Sequence, residues 1–391
     1  MEERREKRRT RRMARLYAHG KAVACILFGF IILLALASLI AKDRAFSDDE
    51  NRGLAQRPAI TLDGLRDGSF FGEYSSYLAD QFFGRDAWIS LDTFGIRLLG
   101  RHDVNGVYVG KDGYLFSPPD GPVETIRDRK AGAINTFVQK HDDLNVMAMV
   151  VPSASAILDE ELPGSAPLRN QRSDIADAVS RLDSSVQVLD VTPTLLEHKR
   201  EEIYYRTDHH WTSLGAYYGF LSAADRLGPD VQVPSFNALT VSDSFQGTLA
   251  SRSGIHRAED EVQVYIPQDT GIEYYVNYPD TQTRSTSMFV SAALDAKDKY
   301  TVFFGGNHPL VEIWTTADIG RNLLVFKDSY ANCFMQFLTS YYDRIIMLDP
   351  RYYYGELSTV LSTYGITDVL FLYNGDTWMT DTSLADVLAT G

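Results

Sequence analysis

Cysteine is almost missing from this chain of 391 residues: there are two, Cys25 and Cys333. Cys25 lies inside an apolar run of membrane length, so no intrachain disulfide can staple the body that follows. No Cys/His spacing of a structural zinc site is present either. Hydrophobic residues make up 45% of the sequence, enough to build a large core without staples. Positive charge is scarce beyond the start. Residues 1–21 hold nine Lys/Arg against three Glu, whereas the whole chain has a formal net charge of −14. So acidic a body excludes nucleic acid as a partner. Internal repeats are absent, as is low-complexity sequence outside the basic start.

What is present begins with residues 22–41, AVACILFGFIILLALASLIA, with no charge and Ser38 as the one polar side chain. At a rise of about 1.5 Å per residue this run spans ~30 Å, the depth of a bilayer's hydrocarbon layer. It predicts a single transmembrane helix. The basic flank puts residues 1–21 in the cytoplasm and everything after Lys42 outside, at the cell membrane. A cleaved signal peptide is the competing reading, but its apolar region is usually shorter, and Ala35-Leu36-Ala37 is a weak cleavage site. Residues 42–58 are polar and charged and read as a stalk; residues 59–391 read as one extracytoplasmic α/β domain.

Within that domain, Ser69–Arg85 spaces its aromatics helically, Tyr74, Tyr77 and Phe82 among them, and predicts a core-facing stripe. Two alternating runs around Lys111-Asp112-Gly113 predict a hairpin. Helix-like and strand-like runs then alternate. Asn145–Val151, Val186–Val191, Tyr300–Gly306, Asn322–Phe326, Arg344–Asp349 and Asp368–Tyr373 read as strands. Runs near Lys130–Lys140, at Ser173–Leu182 and at Ser213–Leu227 read as helices. Uninterrupted apolar strands between amphipathic helices indicate a parallel sheet covered on both faces. Residues 234–298 have short β-like runs without helices and predict a β-rich insertion.

The candidate chemistry sits at strand ends. In Thr207-Asp208-His209-His210-Trp211-Thr212, an extended backbone puts Asp208 and His210 on one side and His209 on the other. A carboxylate that fixes the tautomer of an imidazole makes a general base. The plainer alternative is a turn whose Asp caps the next helix, with Trp211 either filling core or touching substrate. Ser329 follows the strand Asn322–Phe326 and precedes a helix-like run from Ala331. This places its Oγ at the carboxyl edge of the sheet, with the Tyr330 N–H beside a developing oxyanion. Here too a helix cap is the alternative, since the Gly-x-Ser-x-Gly elbow is lacking. Gly306 and Asn307 end another strand and offer close backbone approach and a second oxyanion donor, or a plain turn. His308 is a rival base. Arg351, Tyr352, Tyr353 and Tyr354 follow a further strand and suit an anionic or polyhydroxyl ligand. Asp208, His209, His210 and His308 are donors enough for a metal, but adjacent histidines in an extended chain diverge and no His-x-x-x-His pair accompanies them. No metal and no cofactor is expected.

Taken together, Asp208-His209-His210-Trp211, Asp328-Ser329-Tyr330-Ala331-Asn332, FSDDENR, NGVYVGKDGYLF, VPSAS, FQGTLASRSG, FGGNHP and DPRYYY resemble the DHHW family of bacterial surface proteins. That family is similar to the alginate O-acetylation proteins, whose SGNH-hydrolase-like domain carries its triad in permuted order, Asp and His before Ser. Asp208, His210 and Ser329 match that order. The resemblance implies a three-layer α/β fold and a membrane-anchored acyltransferase that modifies a cell-surface polysaccharide through an acyl-serine. It also implies a multispanning membrane O-acyltransferase as acyl donor. A carbohydrate esterase using the same triad and a non-catalytic glycan-binding or assembly protein are the alternatives. The alginate proteins tend to carry a Lys just after the Val-Pro strand end; Ser153, Ala154 and Ser155 stand there in this chain.

Overall fold

The computed structural model describes residues 2–47, 52–164, 166 and 169–391. Residues 48–51 of the FSDDENR stretch therefore lie outside the described residues. The chain divides into two compact units, one up to Phe94 and one from Gly95 onward.

The first unit contains helix α1 (Glu2–Ile40), the strand pair β1 (Phe46–Ser47) and β2 (Arg52–Gly53), helices α2 (Leu62–Asp67) and α3 (Ser69–Asp80), and most of α4 (Arg85–Leu98). Within α1, Arg8–Ile40 is the one helix among the described residues long and apolar enough to cross a membrane. The aromatic stripe of α3 departs from expectation. Tyr77 is buried, but Phe71 of the same helix and Phe82, two residues past its end, are exposed.

The second unit starts with a small antiparallel sheet, β3 (Asp103–Val104), β4 (Val107–Val109) and β5 (Leu115–Phe116). Its turn has Asp112 and Gly113 at φ 49° and 85°, the left-handed pair that an Asp-Gly hairpin needs. There follow α5 (Glu124–Lys140), β6 (Asn145–Val151), α6 (Ala154–Ile157), α7 (Gln171–Val179), β7 (Gln187–Val188), α8 (Thr192–Glu197) and α9 (Ser213–Leu227). Next come β8 (Phe236–Phe245), α10 (Thr248–Ser253), β9 (Asp260–Pro267), β10 (Tyr274–Tyr278), β11 (Thr283–Ser285), β12 (Leu310–Thr315) and β13 (Asn322–Lys327). The chain closes with β14 (Arg344–Leu348), α11 (Leu357–Tyr364), β15 (Asp368–Asn374), α12 (Gly375–Thr380) and α13 (Ser383–Leu388).

Eight strands form the central sheet in the order β11-β10-β12-β14-β13-β15-β6-β7. The last five are parallel and the first three antiparallel to their neighbours. Because strand side chains alternate, Leu323, Val325, Met147, Met149, Leu370 and Leu372 enter one core with Phe220 and Leu227 of α9. Leu324, Phe326, Val146, Val150, Val369 and Phe371 enter the other with Ile134 and Phe137 of α5. The result is a three-layer α/β fold. From β13 the chain passes to β14 on one side and then to β15 on the other, a switch point of the kind where α/β sheets hold their ligands.

Three expectations need correction. The proposed insertion over 234–298 is divided: β8 and β9 make a separate ribbon, while β10 and β11 extend the central sheet. Tyr300–Gly306 is no strand. It forms a 3-10 turn at Lys299–Val302 and then a left-handed run, with Phe304, Gly305 and Gly306 at φ 62°, 77° and 115°. Its apolar character reflects burial of Tyr300, Val302, Phe303 and Phe304, and the true strand is the following β12. The run from Ala331 expected to be helical is no α-helix; Ser329–Ala331 and Met335–Phe337 form two 3-10 turns. The segment is buried on all sides, and side chains take carbonyls a helix would use: Trp211 Nε1 donates to Tyr330 O at 2.9 Å and Gln336 Nε2 to Cys333 O at 2.5 Å.

Candidate active site

The segment that carries Asp208 and His210 is held in place by the ribbon. Asp260, which opens β9, accepts the backbone N–H groups of Arg206 and Thr207 at 2.8 Å each and the Thr207 hydroxyl at 2.5 Å. Thr212 caps α9 by accepting from Gly215 N. Between these anchors Asp208 and His210, both buried, face the same way. Asp208 Oδ1 lies 2.5 Å from His210 Nδ1, and His210 Nε2 lies 2.7 Å from Ser329 Oγ. Asp208 Oδ2 accepts from Thr248 N and Oγ1 at 2.8 and 2.9 Å. Burial alone would raise the Asp208 pKa; His209, His210 and the Thr248 N–H outweigh it and hold the carboxyl well below its usual range. A negative Asp208 makes His210 Nδ1 the proton-bearing nitrogen and leaves Nε2 to accept from Ser329. Tyr300 stacks on the His210 ring at 3.8 Å and donates its hydroxyl to Ser329 O at 2.9 Å.

The turn that carries Ser329 is built on a second carboxylate. Asp328 accepts from Tyr330 N and from Asn374 N, each at 2.9 Å, so Ser329 is clamped at the end of β13. This corrects the expected oxyanion role of Tyr330, whose N–H is already engaged. Gly306 is corrected likewise, since its N–H donates to Phe303 O at 3.2 Å. Asn307 differs. Its Oδ1 accepts from Lys327 Nζ at 3.0 Å and Asn332 Nδ2 at 3.2 Å. Among the described residues its Nδ2, like the backbone N–H of Ser329, has no protein acceptor.

Trp211 is fully buried and stacks on Phe334, which removes it as a substrate contact: its indole ties the Asp208–His210 segment to the Ser329 turn. His308 is removed as a rival base, because Asp280 Oδ2 and Phe304 O occupy its two ring nitrogens. Arg351 grips Asp349 through Nε at 2.8 Å and Nη2 at 2.7 Å and lies over the Tyr352 ring. Tyr352 and Tyr354 are exposed. Asp208, His209 and His210 bring three potential metal ligands within 4.8 Å. In His210 and Asp208 those same atoms already bond one another, Ser329 and Thr248. Sequence reasoning missed Thr248, Asp260, Tyr300 and Lys327. The usable signal was the FQGTLASRSG stretch, in which Thr248 follows Gly247; the structure shows why that glycine is needed, since a Cβ there would come within 2.3 Å of Asp208.

Fold and site together define a three-layer α/β protein with an aligned Ser-His-Asp group at the sheet's carboxyl edge. The DHHW protein family matches residues 99–348, and the chain belongs to that family. Among solved structures, a DHHW family protein from Eubacterium siraeum is 28% identical, with a TM-score of 0.63 over 73% of this chain and 96% of that one. PatB1 of Bacillus cereus, solved with a sulfonyl adduct, is 18% identical, with a TM-score of 0.58 over 71% of this chain and 98% of that one. The O-acetyltransferase domain of Pseudomonas putida AlgJ is 14% identical, with a TM-score of 0.46 over 73% of this chain and 99% of that one. No curated protein is a significant match to the sequence.

Proposed function

We propose that the protein is an O-acetyltransferase acting on a polysaccharide outside the membrane in which α1 anchors it. The observation that carries this reading is the continuous relay from Ser329 Oγ through His210 to Asp208, at 2.7 and 2.5 Å. Ser329 Oγ attacks the acetyl carbonyl while His210 Nε2 takes its proton. The Asn307 amide and the Ser329 N–H steady the oxyanion. The donor's leaving group departs with the proton from His210, leaving an acetyl-serine. A glycan hydroxyl then gives its proton to His210 and attacks that ester, forming the acetylated glycan and restoring Ser329. Arg351 and the exposed Tyr352 ring are the groups to hold the sugar. A multispanning membrane O-acyltransferase is the partner that would deliver the acetyl group.

Turnover of p-nitrophenyl acetate by the full chain in detergent tests the triad. Ser329→Ala and His210→Ala are each expected to lose about 10³-fold or more. Wild-type rates in either variant would overturn the assignment. PatB1 carries a sulfonyl adduct, so a sulfonyl fluoride is the matched probe, and Ser329 is the residue it should label. Partition of acetyl between water and added oligosaccharide separates transferase from esterase.

A further inference from the structure

We propose that Lys327 is a positioning residue whose ammonium locks the Asn307 carboxamide with its nitrogen turned toward the oxyanion; the inference rests on the acyl-serine reading above. Lys327 ends β13 two residues before Ser329 and is 1% exposed. Its Nζ lies 3.0 Å from Asn307 Oδ1 and 2.9 Å from Asn332 Oδ1, with Asp349 Oδ2 at 3.5 Å. An ammonium only donates. The amide atom facing it must therefore be oxygen, and the NH2 of Asn307 must point the other way. Asn332 reinforces this orientation by donating from Nδ2 to the same Asn307 oxygen.

The loop bearing Asn307 also closes on the nucleophile turn at two points. Tyr300 donates to Ser329 O, and Asn332 Nδ2 reaches Gly306 O at 3.5 Å. Nor is the lysine needed as a counter-ion. Asp349 is already gripped by Arg351, so a second buried cation, costly to desolvate, adds nothing that the ion pair lacks. What it adds is a one-way donor to Asn307 and to Asn332, which itself holds the Asn307 oxygen.

A double-mutant cycle on p-nitrophenyl acetate with Lys327→Met, Asn307→Ala and the double variant tests this. Lys327→Met should lower kcat about 10- to 100-fold with KM within about twofold, and Asn307→Ala about 100-fold. The double variant should be no slower than Asn307→Ala alone, because Lys327 acts only through that amide. Multiplying losses, or wild-type kcat in Lys327→Met, would overturn the proposal. The groups facing Nζ are Asp349 and Arg351 from the turn after β14, Asp328 on its own chain segment, and the two asparagines. Burial lowers the Lys327 pKa to about 8 against the pull of Asp349. Wild-type kcat should therefore fall above about that pH, a limb that Lys327→Met should lack; its persistence there counts against the proposal. Should Lys327→Met not fold, Asn307→Asp serves. It keeps an oxygen toward Lys327 but has no amide donor, so kcat should drop as in Asn307→Ala without a lowered melting temperature; full activity would overturn the assignment. Activity retained by Ser329→Ala would sink the acyl-serine reading itself, whereas an inactive Ser329→Ala beside an additive cycle would sink only the role of Lys327.

Discussion

Asp208 and Asp328 open two short segments that look alike: each is 1% exposed, and each precedes a residue of the relay. Their acceptor atoms go to different recipients. Asp328 gives both oxygens to backbone, Tyr330 N and Asn374 N. Asp208 gives one oxygen to Thr248 and the other to the His210 imidazole, whose far nitrogen meets Ser329 Oγ. A buried carboxylate is a chemical group or a structural one according to what it bonds, not how deeply it lies.

The largest expected effect falls on the chemical one. Asp208→Asn should lower kcat by about 10³- to 10⁴-fold, because an amide cannot hold His210 in the required tautomer. Loss of less than about tenfold would erase the contrast between the two carboxylates. The same variant has a pH signature. The folded pKa of Asp208 lies below its unfolded value of about 3.9. The group therefore contributes stability above that pH, which is lost as pH falls further through the folded value. Denaturant titrations below about pH 4 should show a shallower acid loss in Asp208→Asn than in the wild type.

Asp328→Asn should chiefly cost stability. One of the two buried N–H donors would face an NH2 group, and an unsatisfied or opposed buried donor costs about 1–3 kcal/mol. The denaturant midpoint is the measurement. A drop in kcat without a drop in midpoint would move Asp328 into the chemistry.

How far this contrast was readable in sequence differs by residue. The Asp-x-His spacing pointed to the right pair for the wrong reason: the chain bends there instead of extending, Asp208 Oδ1 also accepts from His210 N at 3.0 Å, and the His209 ring stays 3.9 Å from that of His210 instead of pointing away. The apolar runs of β6, β13 and β15 announced a buried parallel sheet with Ser329 at its edge. Those signals are local. The partners that decide roles are not: Thr248 reaches Asp208 across 40 residues and Asn374 reaches Asp328 across 46. Trp211 and Tyr300–Phe304 misled for a shared reason. Aromatic and apolar residues read equally well as ligand contact, strand or plug, and only the packing of α9, the ribbon and the nucleophile turn selects among them.

Gly247→Ala tests the Asp208 side sterically. Gly247 sits at φ −84° and ψ −164°, a backbone open to any residue, so the constraint is the missing Cβ. An added methyl 2.3 Å from Asp208 Cβ and 2.4 Å from Oδ2 must displace the carboxylate. Overpacking of this kind costs about 1–3 kcal/mol, and kcat should fall with the His210 contact. Unchanged kcat would mean that the relay tolerates a shifted orienter.

The smallest effect is expected at His209, the neighbour that shares the motif but not the geometry. Its Nδ1 donates to Thr248 Oγ1 at 2.8 Å, and that hydroxyl in turn donates to Asp208 Oδ2 at 2.9 Å. His209 therefore touches the carboxylate chiefly through an intermediary, while its ring leans on His210 at 3.9 Å. A glutamine can supply an N–H near the same place, and Thr248 N still satisfies Asp208 Oδ2 if the hydroxyl turns away. His209→Gln should thus keep kcat within about tenfold of wild type, the scale of one hydrogen bond worth about 1 kcal/mol. A loss as large as that of Asp208→Asn would make the two histidines a coupled pair and break the distinction between the residue that touches Ser329 and the one that only braces its orienter.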